Sequence, residues 1–119
     1  MTTQEIATTL VKLCSEGKFD QAAEKLYSSD IVSVEPIAPP GSSRETQGAA
    51  AVKAKGEWWN ANHEVHAVSV GGPLVAGSQF AVTFNIDATF KPEKRRFQME
   101  EVGVYKVADG KIVREEFFY

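Results

Sequence analysis

The stretch Phe80-Ala81-Val82-Thr83-Phe84-Asn85-Ile86-Asp87-Ala88-Thr89-Phe90 decides how this chain is read. Phe80, Val82, Phe84, Ile86, Ala88 and Phe90 alternate with Ala81, Thr83, Asn85, Asp87 and Thr89, the two-residue period of a strand with one apolar and one polar face. Lys91-Pro92-Glu93-Lys94 interrupts the period, because proline has no N–H for a central ladder and favours a turn. A hairpin centred on Pro92 and Glu93 pairs Phe97 with Ala88, Met99 with Ile86, Glu101 with Phe84 and Gly103 with Val82, since directly opposed residues share a face. Glu101 is thereby set among apolar groups. Ala108-Asp109-Gly110 marks a second return, into Lys111 to Tyr119. A three-residue loop there places Tyr105 opposite Val113 and brings Val113, Glu115, Phe117 and Tyr119 onto the Glu101 face. A two-residue Asp-Gly turn brings in Arg114 instead, and alternation does not choose, because Ile112 and Phe118 balance Val113 and Phe117. The last forty residues, Phe80 to Tyr119, thus read as three consecutive antiparallel strands.

Upstream, the spacing predicts helices that cover one face of this sheet. Thr2 and Glu5 have capping-box spacing and Ile6, Leu10, Leu13 and Cys14 follow at helical intervals, so a first amphipathic helix runs to about Gly17. Phe19, Ala22, Ala23, Leu26 and Tyr27 make a second, joined through Glu16-Gly17-Lys18 as a helical hairpin, with Asp20 near its positive N-terminal end. Ile31 to Glu35 is a short strand stopped by Pro36, and Pro36 to Gln47 has the composition and length of a lid-like loop. Gly48 to about Asn62 predicts a third helix, with Val52, Gly56, Trp59 and His63 on one face and Ala51, Lys55, Trp58 and Asn62 beside it. Gly56 points to close packing on the sheet, since a mid-helix glycine otherwise costs roughly 1 kcal/mol relative to alanine. Glu64 to Val70 resumes strand alternation, with His66, Val68 and Val70 on one face. Gly71-Gly72-Pro73 then turns into a short strand at Leu74 to Ala76.

At 119 residues the chain fits one domain, 1–119, able to bury about two thirds of its unfolded surface. A net charge of −3 offers no basic stripe, which excludes nucleic acid as the expected partner. Cys14 is the one cysteine, so neither an internal disulfide nor a cysteine metal cluster is expected. No apolar run reaches the length of a membrane span. Met1-Thr2-Thr3-Gln4-Glu5 lacks the basic and apolar segments of a signal peptide, and a cytoplasmic protein is expected.

Four segments carry a family resemblance: Leu26-Tyr27 to Val34-Glu35-Pro36, Gly56-Glu57-Trp58-Trp59 to His63-Glu64-Val65-His66, Gly72-Pro73-Leu74-Val75-Ala76-Gly77, and Asp109-Gly110-Lys111-Ile112-Val113-Arg114-Glu115-Glu116-Phe117-Phe118-Tyr119. With the order helix, helix, strand, helix and antiparallel strands, the chain resembles the SnoaL-like family of the nuclear-transport-factor-2-like superfamily over almost its whole length. The resemblance implies an α+β fold, a cone-shaped curved antiparallel sheet with three N-terminal helices packed on its concave face, as in ketosteroid isomerase. It does not imply one activity, because the superfamily includes isomerases, dehydratases, epoxide hydrolases, cyclases and non-catalytic binders. Set against ketosteroid isomerase, the general base before a proline at the end of the first strand matches Glu35, the oxyanion tyrosine falls at Leu10 and the protonated aspartate at Gly103. Two of the three groups are missing, so steroid isomerisation is not expected. Glu101, one alternation before Gly103, is a displaced substitute.

Glu101 on an apolar face is a candidate acid or base, because burial raises a carboxyl pKa; equally, it suits a structural carboxylate bonded to a buried partner. Glu35 reads as a base or as a solvated strand end, and His63 as a rim donor or acid-base group. His63 and His66 lack the HExxH order and a nearby third ligand, so no metal and no cofactor is predicted. Trp59, Tyr119, Phe84, Met99 and Phe117 are candidate ligand contacts, with Trp58 and Trp59 sealing the wide end of the cone. Cys14 reads as a small buried apolar residue. Two readings stay open. One is a metal-free enzyme acting on an apolar, carbonyl-bearing metabolite, with Glu35 or Glu101 moving the proton and His63 or Tyr119 assisting. The other is a binding module without catalysis. A homodimer through the outer sheet face, where Val102 and Val104 lie among polar groups, fits either.

Overall fold

The computed structural model describes residues 1–119 as α1 (Thr3–Ser15), α2 (Phe19–Leu26), β1 (Tyr27–Val34), β2 (Glu45–Gln47), α3 (Ala49–Asn62), β3 (His63–Ala76), β4 (Gln79–Phe90), β5 (Arg95–Ala108) and β6 (Lys111–Phe118). The six strands form one mixed sheet in the order β2-β1-β6-β5-β4-β3, in which only β1 and β6 run parallel. The helices lie on one face, α1 against β3 and β4 and α3 against β1. This is the α+β layering that the alternating strands and amphipathic helices require if each is to bury its apolar side.

Local chemistry sets the helix ends. Thr2 and Glu5 form a reciprocal capping box, the Glu5 N–H donating to Thr2 Oγ1 and the Thr2 N–H to Glu5 Oε1. Gly17, at φ +75°, closes α1: its N–H donates to the Cys14 carbonyl and that of Lys18 to the Leu13 carbonyl, a left-handed exit that a side chain would strain. The inner face is apolar where α1 covers it. Ile6, Leu10, Leu26, Phe80, Val82 and Ile112 are each at most 2% exposed, and Cys14 lies among them as a small apolar group.

The hairpin register predicted around Pro92 is the one observed, with Phe97 opposite Ala88, Met99 opposite Ile86, Glu101 opposite Phe84 and Gly103 opposite Val82. The next hairpin departs from both alternatives. Asp109-Gly110 makes the two-residue turn, Ala108 pairs with Lys111, and Ile112 faces inward opposite Val107. A register shift between Lys106 and Val107 then brings Glu115 opposite Tyr105 and Phe117 opposite Gly103. Val113 does not face Tyr105; the bulge lets Ile112 and Glu115, three residues apart, share one face.

Other boundaries move for similar reasons. Tyr27 begins β1 instead of ending α2, and the parallel register with β6 shifts between Tyr27 and Val32. β3 is one strand through Gly71-Gly72-Pro73, where its register shifts, so that stretch is an irregularity and not a turn. A second shift between Val65 and Ala67 takes His66 off the face of Val68 and Val70, and its Nε2 meets Thr89 Oγ1 at 2.7 Å. The end of the Pro36-to-Gln47 stretch pairs as β2. Gly56 marks no close approach: an added Cβ would meet nothing within 4 Å, and the helix around it is largely exposed. No helix is long and apolar enough to cross a membrane.

Candidate functional site

The polar residues of the inner face gather where β1, β5 and β6 meet under α3. Glu115 is 3% exposed and has Ser33 of β1 on one side and Tyr105 of β5 on the other. The Tyr27 hydroxyl donates to its Oε1 and Ser33 Oγ to its Oε2 at 2.7 Å. Lys55 reaches in from α3 and donates to Ser33 Oγ at 2.7 Å and to Glu35 Oε1 at 3.1 Å. The Tyr119 hydroxyl donates to the other Glu35 oxygen at 3.2 Å. A continuous chain of polar contacts, Tyr27–Glu115–Ser33–Lys55–Glu35–Tyr119, therefore joins the buried interior to the protein edge.

Glu101 stands next to this chain but outside it. It is half-buried, opposite the buried Phe84, and no hydrogen bond within the chain reaches its carboxyl. Burial pushes its pKa up to about 7, helped by the negative charges of Glu35 and Glu115 and opposed by Lys55. Glu115 is also raised by burial, although its bonds from Tyr27 and Ser33 and the charge of Lys55 pull the other way. Burial and then Glu35 raise the Tyr119 phenol to about 12, so it remains a donor at neutral pH. Burial likewise raises the Cys14 thiol to about 12, which suits a packing role and not a nucleophile.

The predicted site residues fall into two groups. Glu35, Glu101, Tyr119 and Phe117 are together, with Lys55 Nζ 5.9 Å from the Phe117 ring centroid and Phe84 beneath Glu101. His63 lies elsewhere. Its ring stacks on Trp59 at 4.0 Å between centroids and meets the edge of Phe97 at 5.8 Å, while Nδ1 donates to the Trp59 carbonyl at 2.8 Å. Phe97 is four residues from Glu101 on one strand, roughly 13 Å away at about 3.3 Å per residue, with Met99 between them. Trp58 does not seal this end: it is 58% exposed, and only Trp59 packs against the core. Outside both groups, Asp87 and Arg96 form an ion pair at 2.7 Å on the outer face.

Lys55, Ser33 and Tyr27 were missed by sequence reasoning. Lys55 occupies a flank of α3, and only its long side chain brings the charge to Glu35. Ser33 had a usable signal, an inward position on an apolar strand. Leu10 and Gly103 carry no polar groups here: Leu10 is core, and the Tyr105 ring fills the space over Gly103.

Solved structures define the class first. A Bacillus subtilis protein provisionally assigned as an isomerase matches 98% of this chain and 88% of its own at 22% identity and TM-score 0.74. A Catenulispora acidiphila protein of ketosteroid isomerase-like fold, in complex with trimethylamine, matches 99% and 87% at 17% identity and TM-score 0.73. These share the fold. A Mesorhizobium loti protein provisionally assigned as a SnoaL-like polyketide cyclase is 44% identical over 100% of both chains, with TM-score 0.94. The SnoaL-like domain family matches residues 1–119, and the chain belongs to that family. No curated protein matches it.

Proposed function

We propose that this SnoaL-like domain binds an apolar, carbonyl-bearing metabolite at the Glu35–Glu101 end of the inner face and moves a proton on it without metal. The observation that carries this reading is Glu101: a half-buried carboxyl with no partner in the chain, raised to about 7, is poised both to hold and to release a proton near neutral pH. Glu35, fixed by Lys55 and Tyr119, is the second carboxyl, and its different surroundings suit a different role in the transfer. Phe84, Met99 and Phe117 supply apolar contact beside them, and Trp59 and His63 form the aromatic rim farther along the face.

The test is a thermal-shift and turnover screen of planar ketones, lactones and phenols against wild type and Glu101→Gln in parallel. Ligand at about 100 times its Kd stabilises by roughly 2.7 kcal/mol, well within detection. A compound that binds wild type and is converted, while Glu101→Gln binds it without conversion, is the expected result. Equal conversion by the variant removes Glu101 from the chemistry.

Gly103 and Leu10, which supply no donors where the isomerase template has them, favour a second reading as a non-catalytic binder. That reading expects binding with no conversion and an unchanged affinity after Glu35→Gln. In either case the outer face, with Val102 37% exposed, suits a cytoplasmic homodimer; sedimentation equilibrium showing only monomer at micromolar concentration removes the dimer.

A further inference from the structure

α3 packs on β1 and runs on into β3 at His63, so it bridges β6, β5 and β4, which lie between those two strands in the sheet. Two side chains tie it down. Lys55 reaches Ser33 and Glu35, with its Nζ 5.9 Å from the ring centroid of Phe117, which pairs opposite Gly103. Trp59 carries the stacked His63 ring, which meets Phe97. On β5, Glu101 and Met99 lie between Gly103 and Phe97 on the same inward face, and both are only half-buried. Gly56 lies between the two ties. It follows the buried Val52 by four residues and precedes the core-packed Trp59 by three, so it belongs to the sheet-facing stripe of the helix. It is nevertheless exposed, and a Cβ there would meet nothing within 4 Å. The helix therefore stands clear of the sheet at its middle, above Glu101 and Met99.

Glycine is a destabilising choice here, because the backbone is ordinary helix that any residue adopts and no close contact offsets the loss of helix propensity. We propose that Gly56 is a specificity-determining residue: its missing side chain leaves an entrance beneath α3, between Lys55 and Trp59, and sets how wide an apolar ring can pass to Glu101. The surroundings suit a flat apolar molecule, with Phe117 at one end, Trp59 at the other and Met99 on the sheet between them. Because Lys55 and Trp59 hold the helix on either side, a side chain at 56 takes its volume from the opening and not from a packed core.

This inference rests on the reading of the Glu35–Glu101 end as a carbonyl-binding site, and the experiment separates the two. Gly56→Ala and Gly56→Leu are compared with wild type. Both should melt about 4 °C higher, because each restores helix propensity, and that rise shows that they fold. In calorimetry, leucine should weaken the two-ring ketone 1-tetralone about tenfold or more and the one-ring cyclohexanone less, whereas alanine should bind both nearly as wild type does. Unchanged tetralone affinity in the stabilised leucine variant overturns the proposal. A second readout needs no ligand. The chain has two methionines, Met1 and Met99, so a 13C-methyl spectrum isolates Met99. The soluble nitroxide TEMPOL should broaden the Met99 methyl resonance in wild type and broaden it much less in Gly56→Leu. Equal broadening in the two proteins overturns the entrance, whatever the ketones do. If wild type binds neither ketone while leucine shields Met99, the carbonyl reading fails, and the entrance and its control by residue 56 stand.

Discussion

At the β1–β6 end of the inner sheet face, two carboxyls and one lysine share a network of hydroxyls with a third carboxyl beside it, whereas at the Phe90–Phe97 end a histidine lies flat on a tryptophan among phenylalanines. Both ends contain an ionisable group on an apolar face, but they treat it differently. His63 has its Nδ1 tied to a backbone carbonyl and its ring stacked, so its polarity is largely used up in holding α3 to β3. The carboxyl end has more negative groups than partners, and Glu101 is the one left over. A polar residue on a core face keeps its hydrogen-bonding capacity free only where its neighbours leave it unsatisfied.

The sharpest way to break this contrast is Glu115→Ala, which leaves the buried Ser33 and Tyr27 hydroxyls without their acceptor. Urea denaturation should show a loss of ~3 kcal/mol. A loss under ~1 kcal/mol would mean that the network does not hold the carboxyl end together. Glu101→Gln should act in the opposite direction. Because Glu101 is raised in the folded state, the folded protein holds more protons than the unfolded chain between about 4.5 and about 7, and wild-type stability falls as pH rises through that window. The variant should therefore match wild type near pH 4 and exceed it by up to ~3 kcal/mol above pH 8, and a pH-independent difference would show that Glu101 is not the strained group. The smallest effect belongs to the aromatic end: His63→Ala should cost ~1 kcal/mol of stacking and leave the carboxyl 13C titration of Glu101 near 7. A displacement of that titration by more than about half a pH unit would show that the two ends are coupled.

The fold was legible where the pattern was strict. β4 alternates without a fault and Pro92 fixes one turn, so the whole β4–β5 register, and with it the inward position of Glu101, follows from the residues. The phase of β6 was not legible, because its bulge lets Ile112 and Glu115 both face in, and no periodicity describes a strand that changes phase. Gly56 misled for a related reason: the physical cost of a helical glycine is real, but nothing in the structure offsets it by close packing. Within the site, Glu35 and Glu101 could be named from a strand end and an apolar face. Lys55 could not, since its role depends on how far a flexible side chain reaches across a tertiary gap. The direction of the Tyr105 ring is set by the missing side chain two residues earlier, a relation visible only when both are in place.

The segment after Glu35 leaves and returns through a tied neck: the Glu35 N–H donates to the Arg44 carbonyl at 2.9 Å, and Arg44 Nε donates to the Glu35 carbonyl at 2.9 Å. What lies between, Pro36 to Ser43, is an excursion whose length is thermally inexpensive to change, each doubling costing only about 0.6 kcal/mol of closure entropy. The length of that excursion can therefore change without disturbing the carboxyl at its base. The two bonds at the neck, one between backbones and one from the Arg44 side chain, separate the length of the loop from the position of the carboxyl at its base.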